Sequence, residues 1–279
     1  MVESQIVKTL DQALMLLNQN DYDIVAGGTD MLIQNRSHTG IPIGFKRPVL
    51  YVSHISELNY IRDDESQIYI GATTKLETIL KSDLTPQILK DIIVEMASPA
   101  IRHTATLAGN IGNASPAGDS LIALYLLDAM VKIQSVDETR NMLVSDFIQG
   151  VRKIDLNQNE MITEIIIPKH HFSHVRFEKV APRLSDAISK LSFCGAVLVE
   201  NNQIKDFRMA FGAVYMTVVR KREIEEKYIN MPIENMKQLV DDIVSDYASY
   251  IQPIDDQRSN RIYRKKVALN IIKDFIKNI

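Results

Sequence analysis

The chain has 279 residues, 46% hydrophobic and 24% charged. That balance is typical of a soluble globular protein, excludes disorder, and supplies about two domains' worth of chain. Its 32 Lys and Arg against 35 Asp and Glu give a net charge of −3 and a pI near 6.1, so nucleic acid is not an expected partner.

Residues 4–18 carry Ile6, Val7, Leu10, Leu14 and Leu17 at helical spacing and are predicted to form one helix. A short strand, Tyr22 to Val25, runs into Ala26-Gly27-Gly28-Thr29-Asp30, and Met31 to Asn35 reads as a helix start capped by Thr29 or Asp30. Strands are predicted at Val49 to Val52 and Ile68 to Ile70, with one helix or two between Ser82 and Met96, interrupted near Pro86. Positions 104–120 are almost all small or polar apart from Leu107 and Ile111, and they are predicted to be a long binding loop. Leu121 to Leu127 follows as a helix, then Ala129 to Val136 and Ile162 to Ile167 as strands.

Beyond Pro168, strands are expected at Val175 to Lys179, Phe193 to Glu200 and Ile204 to Val214, the last two joined through Asn201-Asn202-Gln203. Helices are expected over 219–229, 234–249 and 259–276. The longest apolar run, Leu121 to Leu127, is far too short to cross a bilayer. With Glu3 and Asp11 near the start, no secretory signal is visible. A cytoplasmic protein with no membrane partner is the expectation.

The single cysteine, Cys194, lies in an apolar run and reads as core packing. One cysteine provides no ligand set for zinc or an iron–sulfur cluster, so redox chemistry here requires a bound cofactor. His170, His171 and His174 lack metalloprotease spacing and read as a solvated strand-edge cluster, and no metal site is predicted. Arg258, Arg261, Arg264, Lys265 and Lys266 read as an exposed basic helix face or a docking surface.

Two segments carry the functional signal. Gly27-Gly28 between strand and helix permits positive φ and close approach of a ligand to backbone amides, which suits a pyrophosphate. The alternative is a turn that uses glycine for geometry alone. The second segment, Thr106 to Asp119, offers amides, hydroxyls and carboxamides, and its alternative is an irregular surface loop.

Together, Ala26-Gly27-Gly28-Thr29-Asp30 and Ala105-Thr106-Leu107-Ala108-Gly109-Asn110-Ile111, followed by Ala114-Ser115-Pro116 and Asp119, resemble the FAD-binding (medium) subunit of molybdenum hydroxylases of the xanthine and carbon monoxide dehydrogenase type. The resemblance extends through Glu160 to Pro168 and Phe177 to Ser189 and covers the chain end to end. Ala108 stands where glycine is common in the family. Pro182-Arg183 stands where paired arginines are frequent.

The resemblance implies an α+β protein. A two-lobed FAD-binding domain of the vanillyl-alcohol oxidase (PCMH) type would span residues 1–170, with lobes of about 1–55 and 56–170. A C-terminal antiparallel sheet-and-helices domain would span 171–279. It implies non-covalent FAD on Val25, Ala26, Gly27, Gly28, Thr29, Asp30, Met31, Thr106, Ala108, Gly109 and Asn110. Asp119, Ile162 and Lys179 (or Glu178 beside it) would be further contacts, and Ala187 and Ile188 would lie near the flavin ring.

It also implies a molybdopterin-binding large subunit and a small iron–sulfur subunit as partners, with the basic face and the segment Ser185 to Ile188 as contact regions. NAD+ or another acceptor would take the electrons. On family frequency the complex would be a xanthine or purine dehydrogenase, with nicotinate, another N-heterocycle or carbon monoxide as alternatives. The other classes are a self-sufficient FAD-dependent reductase or oxidase and a non-enzymatic binding module.

Overall fold

The computed structural model describes residues 3–36, 38, 43–183 and 186–279. Contacts divide the chain into two compact units. The first comprises Met1–Pro86, Ala97–Ala114 and Asp128–Pro168. The second comprises Gln87–Met96, Ser115–Leu127 and Lys169–Ile279.

The first unit holds a three-stranded parallel sheet in the order Ser4–Ile6, Val49–Tyr51, Asp23–Val25. It also holds a five-stranded antiparallel sheet in the order Ile61–Asp63, Gln67–Gly71, Met161–Pro168, Met130–Gln134, Thr139–Leu143. Met161–Pro168 is the central strand, buried at every position but the last. Its Glu164 is tolerated there because Tyr60 Oη donates to the carboxylate at 2.5 Å and Arg62 Nη2 at 2.9 Å. Burial and this carboxylate push the Tyr60 hydroxyl up to about 12.

The second unit is built on a four-stranded antiparallel sheet in the order His174–Val180, Leu191–Glu200, Gln203–Gly212, Val219–Arg220. The helix Asp119–Leu126 packs against its two middle strands, and the helix Gln87–Glu95 packs against its first. Helices Val240–Ala248 and Arg261–Lys277 cover a core containing Phe193, Phe207, Phe211, Tyr247 and Phe275. The α+β class and the C-terminal sheet with helices agree with expectation.

Local departures have identifiable causes. Residues 4–18 are not one helix. Ser4–Ile6 pairs in parallel with Val49–Tyr51, and the helix runs over Leu10–Gln19. Its start is set by Thr9, whose side chain accepts from Gln12 N.

The 104–120 stretch is not a continuous loop either, because Leu107–Asn113 is a helix. Thr106 caps it, Leu107 and Ile111 bury one face, and Ala114 ends it in the left-handed region. Near 219 the chain first adds the edge strand Val219–Arg220 before the short helix Arg222–Glu225. The expected 234–249 helix breaks at Leu239 into Ile233–Gln238 and Val240–Ala248. The Asn201-Asn202 connection has both residues at positive φ, the geometry of a type I′ hairpin turn.

The 258–266 face is not uniformly exposed. Arg264 is buried with Nη2 on Asp256, which also takes Arg258. Cys194 is fully buried, and burial drives its thiol well above the ordinary range.

Beside it, a Cβ on Gly195 would sit 2.6 Å from Phe275 Cζ and 2.7 Å from Phe193 Cζ. Gly195→Ala is therefore expected to overpack this core at a cost of about 1–3 kcal/mol. Urea denaturation reads this directly, and an unchanged midpoint would show that the two rings can open without cost.

Candidate functional site

The first glycine segment leaves the edge of the parallel sheet at Val25. Gly28 lies at φ +68°, a conformation that side-chain-bearing residues rarely adopt. At Gly27 a Cβ would land 2.3 Å from the carbonyl oxygen of Thr104 and 2.9 Å from Cα of Ala105. The turn thus packs backbone against backbone on the approach to the second segment. From Ala26 to Met31 the backbone N–H groups donate to no acceptor among the described residues. Consecutive free amides around a positive-φ residue form a concavity that receives an anion.

The second segment starts at Thr106, whose Oγ1 accepts from Gly109 N at 3.0 Å. Leu107, Ala108 and Ile111 are buried, and the Leu107–Asn113 helix packs against the strand Met161–Pro168 that carries Ile162. Ile162 is 9% exposed and precedes a register shift in that strand. Ala108 in place of glycine is accommodated within this helix.

A side-chain relay laces the two segments. Arg152 Nη1 donates to Gln34 Oε1 at 2.9 Å, and Gln34 Nε2 donates to Asn113 Oδ1 at 2.9 Å. Asn113 Nδ2 in turn donates to Asp30 Oδ2 at 3.0 Å. Asp30 occupies the cap position of the short helix Met31–Gln34, yet its side chain makes no capping bond. Its carboxylate is committed to Asn113 instead. Gln34 and Arg152 carry no motif in the sequence, and Asn113 lies inside the second segment with no role that the sequence assigns. Neither spacing nor composition marks residues that meet across 79 and 118 positions.

Asp119 and Lys179 belong to the second unit. There Asp119 opens the helix Asp119–Leu126, where the helix dipole favours a carboxylate. Lys179 Nζ lies 3.0 Å from Asp119 Oδ2, and the two side chains are 3% and 5% exposed. Ser189 Oγ donates to Asp119 Oδ1 at 2.6 Å, and Lys179 Nζ also donates to the Glu95 carbonyl at 2.7 Å. Glu178 instead accepts from Arg176. Ala187 is half-buried and Ile188 is 58% exposed. Ser185, expected in a partner contact, lies outside the described residues, as does Leu184.

Among the described residues no group of three or more His, Cys, Asp or Glu side chains could hold a metal. No described helix is long and apolar enough to cross a membrane. His170 bonds the Leu127 carbonyl at 3.2 Å and stacks on Phe172.

The residues of the first unit fit a dinucleotide diphosphate, because the free amides at 26–31 supply donors and the two glycines keep the approach clear. In the second unit the Asp119–Lys179 pair gives a sharp test. Asp119→Ala strands a buried ammonium and is expected to cost about 3–5 kcal/mol, while adding Lys179→Met recovers much of it. Equal denaturation midpoints for the single and double variants would remove the buried pair from the account.

Comparison with known proteins identifies the family. Residues 1–170 match the family described as the FAD binding domain in molybdopterin dehydrogenase, and residues 176–279 match the CO dehydrogenase flavoprotein C-terminal domain. The nicotinate dehydrogenase FAD-subunit of Eubacterium barkeri is 31% identical, covering 98% of this chain and 94% of its own. The glyceraldehyde dehydrogenase medium chain of Sulfolobus acidocaldarius is 28% identical over 93% of this chain and 92% of its own. The xanthine dehydrogenase FAD-binding subunit of Escherichia coli is 26% identical over 97% and 92%. The solved carbon monoxide dehydrogenase from Hydrogenophaga pseudoflava has the same fold, with a TM-score of 0.88 at 21% identity over 98% of this chain and 95% of that one. With its two family matches spanning nearly the whole sequence in the family's order, the chain belongs to the FAD-binding subunits of the molybdopterin dehydrogenases.

Proposed function

We propose that this chain holds FAD non-covalently and relays electrons within a three-subunit molybdenum hydroxylase, the cofactor's diphosphate resting on Val25–Met31 and the Thr106–Asn110 segment. The observation that carries this reading is the run of unpaired amides at 26–31, packed through Gly27 onto the Thr104–Ala105 backbone. Neither glycine segment contains a Cys or His able to form a covalent flavin link. When bound, FAD takes up electrons from a one-electron donor chain and passes them to NAD+ or another acceptor. The protein's part is to bind the diphosphate, orient the ring and keep the segments in register.

This chain's single cysteine cannot ligate an iron–sulfur cluster, so the donor belongs to a small iron–sulfur subunit. Substrate oxidation belongs to a molybdopterin-binding large subunit. Two of the relatives above act, by their names, on the N-heterocycles nicotinate and xanthine. An N-heterocycle, with xanthine or another purine first, is the proposed substrate class of the complex.

Two tests follow from the chain itself. Denaturing the yellow protein should release all of its flavin, and colour retained on the polypeptide would contradict non-covalent binding. In Gly28→Val, the new Cβ would meet Leu32 Cδ1 at 2.9 Å and the residue would be held at φ +68°. That strain costs about 1–3 kcal/mol, which a chain of this size can survive. Flavin occupancy should fall at least about tenfold (about 1.4 kcal/mol) while circular dichroism stays near wild type.

For the complex, co-expression with both partner subunits should give xanthine-dependent reduction of an electron acceptor, and the isolated chain should give none. Turnover by the single chain would favour a self-sufficient flavoenzyme. A complex active on nicotinate, glyceraldehyde or carbon monoxide, and inactive on purines, would reassign the substrate.

A further inference from the structure

Lys75 ends the turn before the helix Leu76–Lys81. It forms an isolated antiparallel bridge with Thr106, and Leu76 N donates to the Ala105 carbonyl at 2.9 Å. Gly27 packs on Thr104 and Ala105 from the other segment. Three pieces of backbone therefore meet at one joint: the first glycine turn, Thr104–Thr106, and Lys75–Leu76. Residues paired across an antiparallel bridge send their side chains to the same face, with Cβ atoms about 4.5–5.5 Å apart. The Lys75 stem accordingly starts beside the Thr106 side chain.

The side chain of Lys75 is half-buried, and burial alone lowers its pKa from the ordinary lysine value. No carboxylate or other acceptor among the described residues meets its ammonium group. The nearest acid in sequence, Glu77, is taken by Arg102 at 3.1 Å and Lys81 at 3.2 Å. Partial burial of a cation without a partner is unfavourable, and an incoming anion would relieve it.

We infer that Lys75 is a further binding residue for the cofactor, its ammonium group forming an ion pair with the FAD diphosphate. The inference rests on the reading that places the diphosphate at the two glycine segments. It adds to the neutral amide donors at 26–31 a full positive charge, carried on a flexible four-carbon stem. No assignment from sequence pointed to this position, because a lysine after Thr73-Thr74 looks like an ordinary surface residue.

The test uses the full chain freed of flavin, titrated with FAD and, by competition, with ADP, which carries the diphosphate but no flavin ring. Lys75→Met should weaken both ligands by a similar factor, about 10- to 100-fold for loss of one charge-assisted contact, with a shallower salt dependence. Lys75→Arg, which keeps the charge, should stay within a few-fold of wild type. Unchanged FAD affinity in Lys75→Met would overturn the inference, and so would weakened FAD binding with unchanged ADP binding, which would move the ammonium away from the diphosphate. Gly28→Val, run alongside, separates the two claims. If it keeps FAD and ADP at wild-type affinity, the glycine-segment reading itself fails. If it loses both while Lys75→Met loses neither, only the role of Lys75 fails.

Discussion

The first unit is organised by one steric constraint, the absence of room for a Cβ at Gly27. The carbonyl of Thr104 occupies that space, so two stretches of chain remote in sequence touch through bare backbone. Any side chain there would push the stretches apart and separate the amides of 26–31 from Thr106 and Lys75. The constraint is local, yet the parallel sheet that delivers Val25 and the central strand that supports the Leu107–Asn113 helix both serve it. On the proposed function, binding an anion here needs little special chemistry, because the donors are main-chain groups that have no acceptor among the described residues.

The second unit solves a different problem, that of keeping charge inside. Asp119, Lys179 and Ser189 are joined from three places in the chain with little exposure. Each partner is needed to make the others tolerable, since an ionised group alone in such surroundings is costly. In the same unit, Glu225 is buried on Arg220 and the Met209 amide, and burial raises its carboxyl above the usual range. Buried pairs of this kind add modest net stability but make a single arrangement strongly preferred.

Much of this was readable in advance, for physical reasons. Strands such as Leu191–Glu200 and Met161–Pro168 are largely apolar runs bounded by turn residues, and the two glycine segments stand out because they are rich in glycine and small polar residues. Helix Leu107–Asn113 is hidden because its glycines and asparagines are poor helix formers, while the Thr106 cap and the burial of Leu107, Ala108 and Ile111 support it. Strand Ser4–Ile6 was hidden because Ile6 and Val7 also satisfy a helical period, and its pairing partner lies more than forty residues away. Arg264 was misplaced for a similar reason, since nothing in a run of basic residues tells which one turns inward to meet Asp256. What the sequence withheld was long-range company, including the Arg152–Gln34–Asn113–Asp30 relay and the lack of an acceptor for Lys75 among the described residues.

That relay has a chemical direction. Arginine can only donate and a carboxylate can only accept, so Arg152 at one end and Asp30 at the other leave the amides of Gln34 and Asn113 a single orientation each. A side-chain amide is also the group that ages in proteins, losing ammonia to become an acid. Loss of ammonia at Asn113 would place a second carboxylate against Asp30, turning an attraction between the two segments into a repulsion. One covalent change at a single amide would thus be enough to reverse the sign of the contact between the two glycine segments.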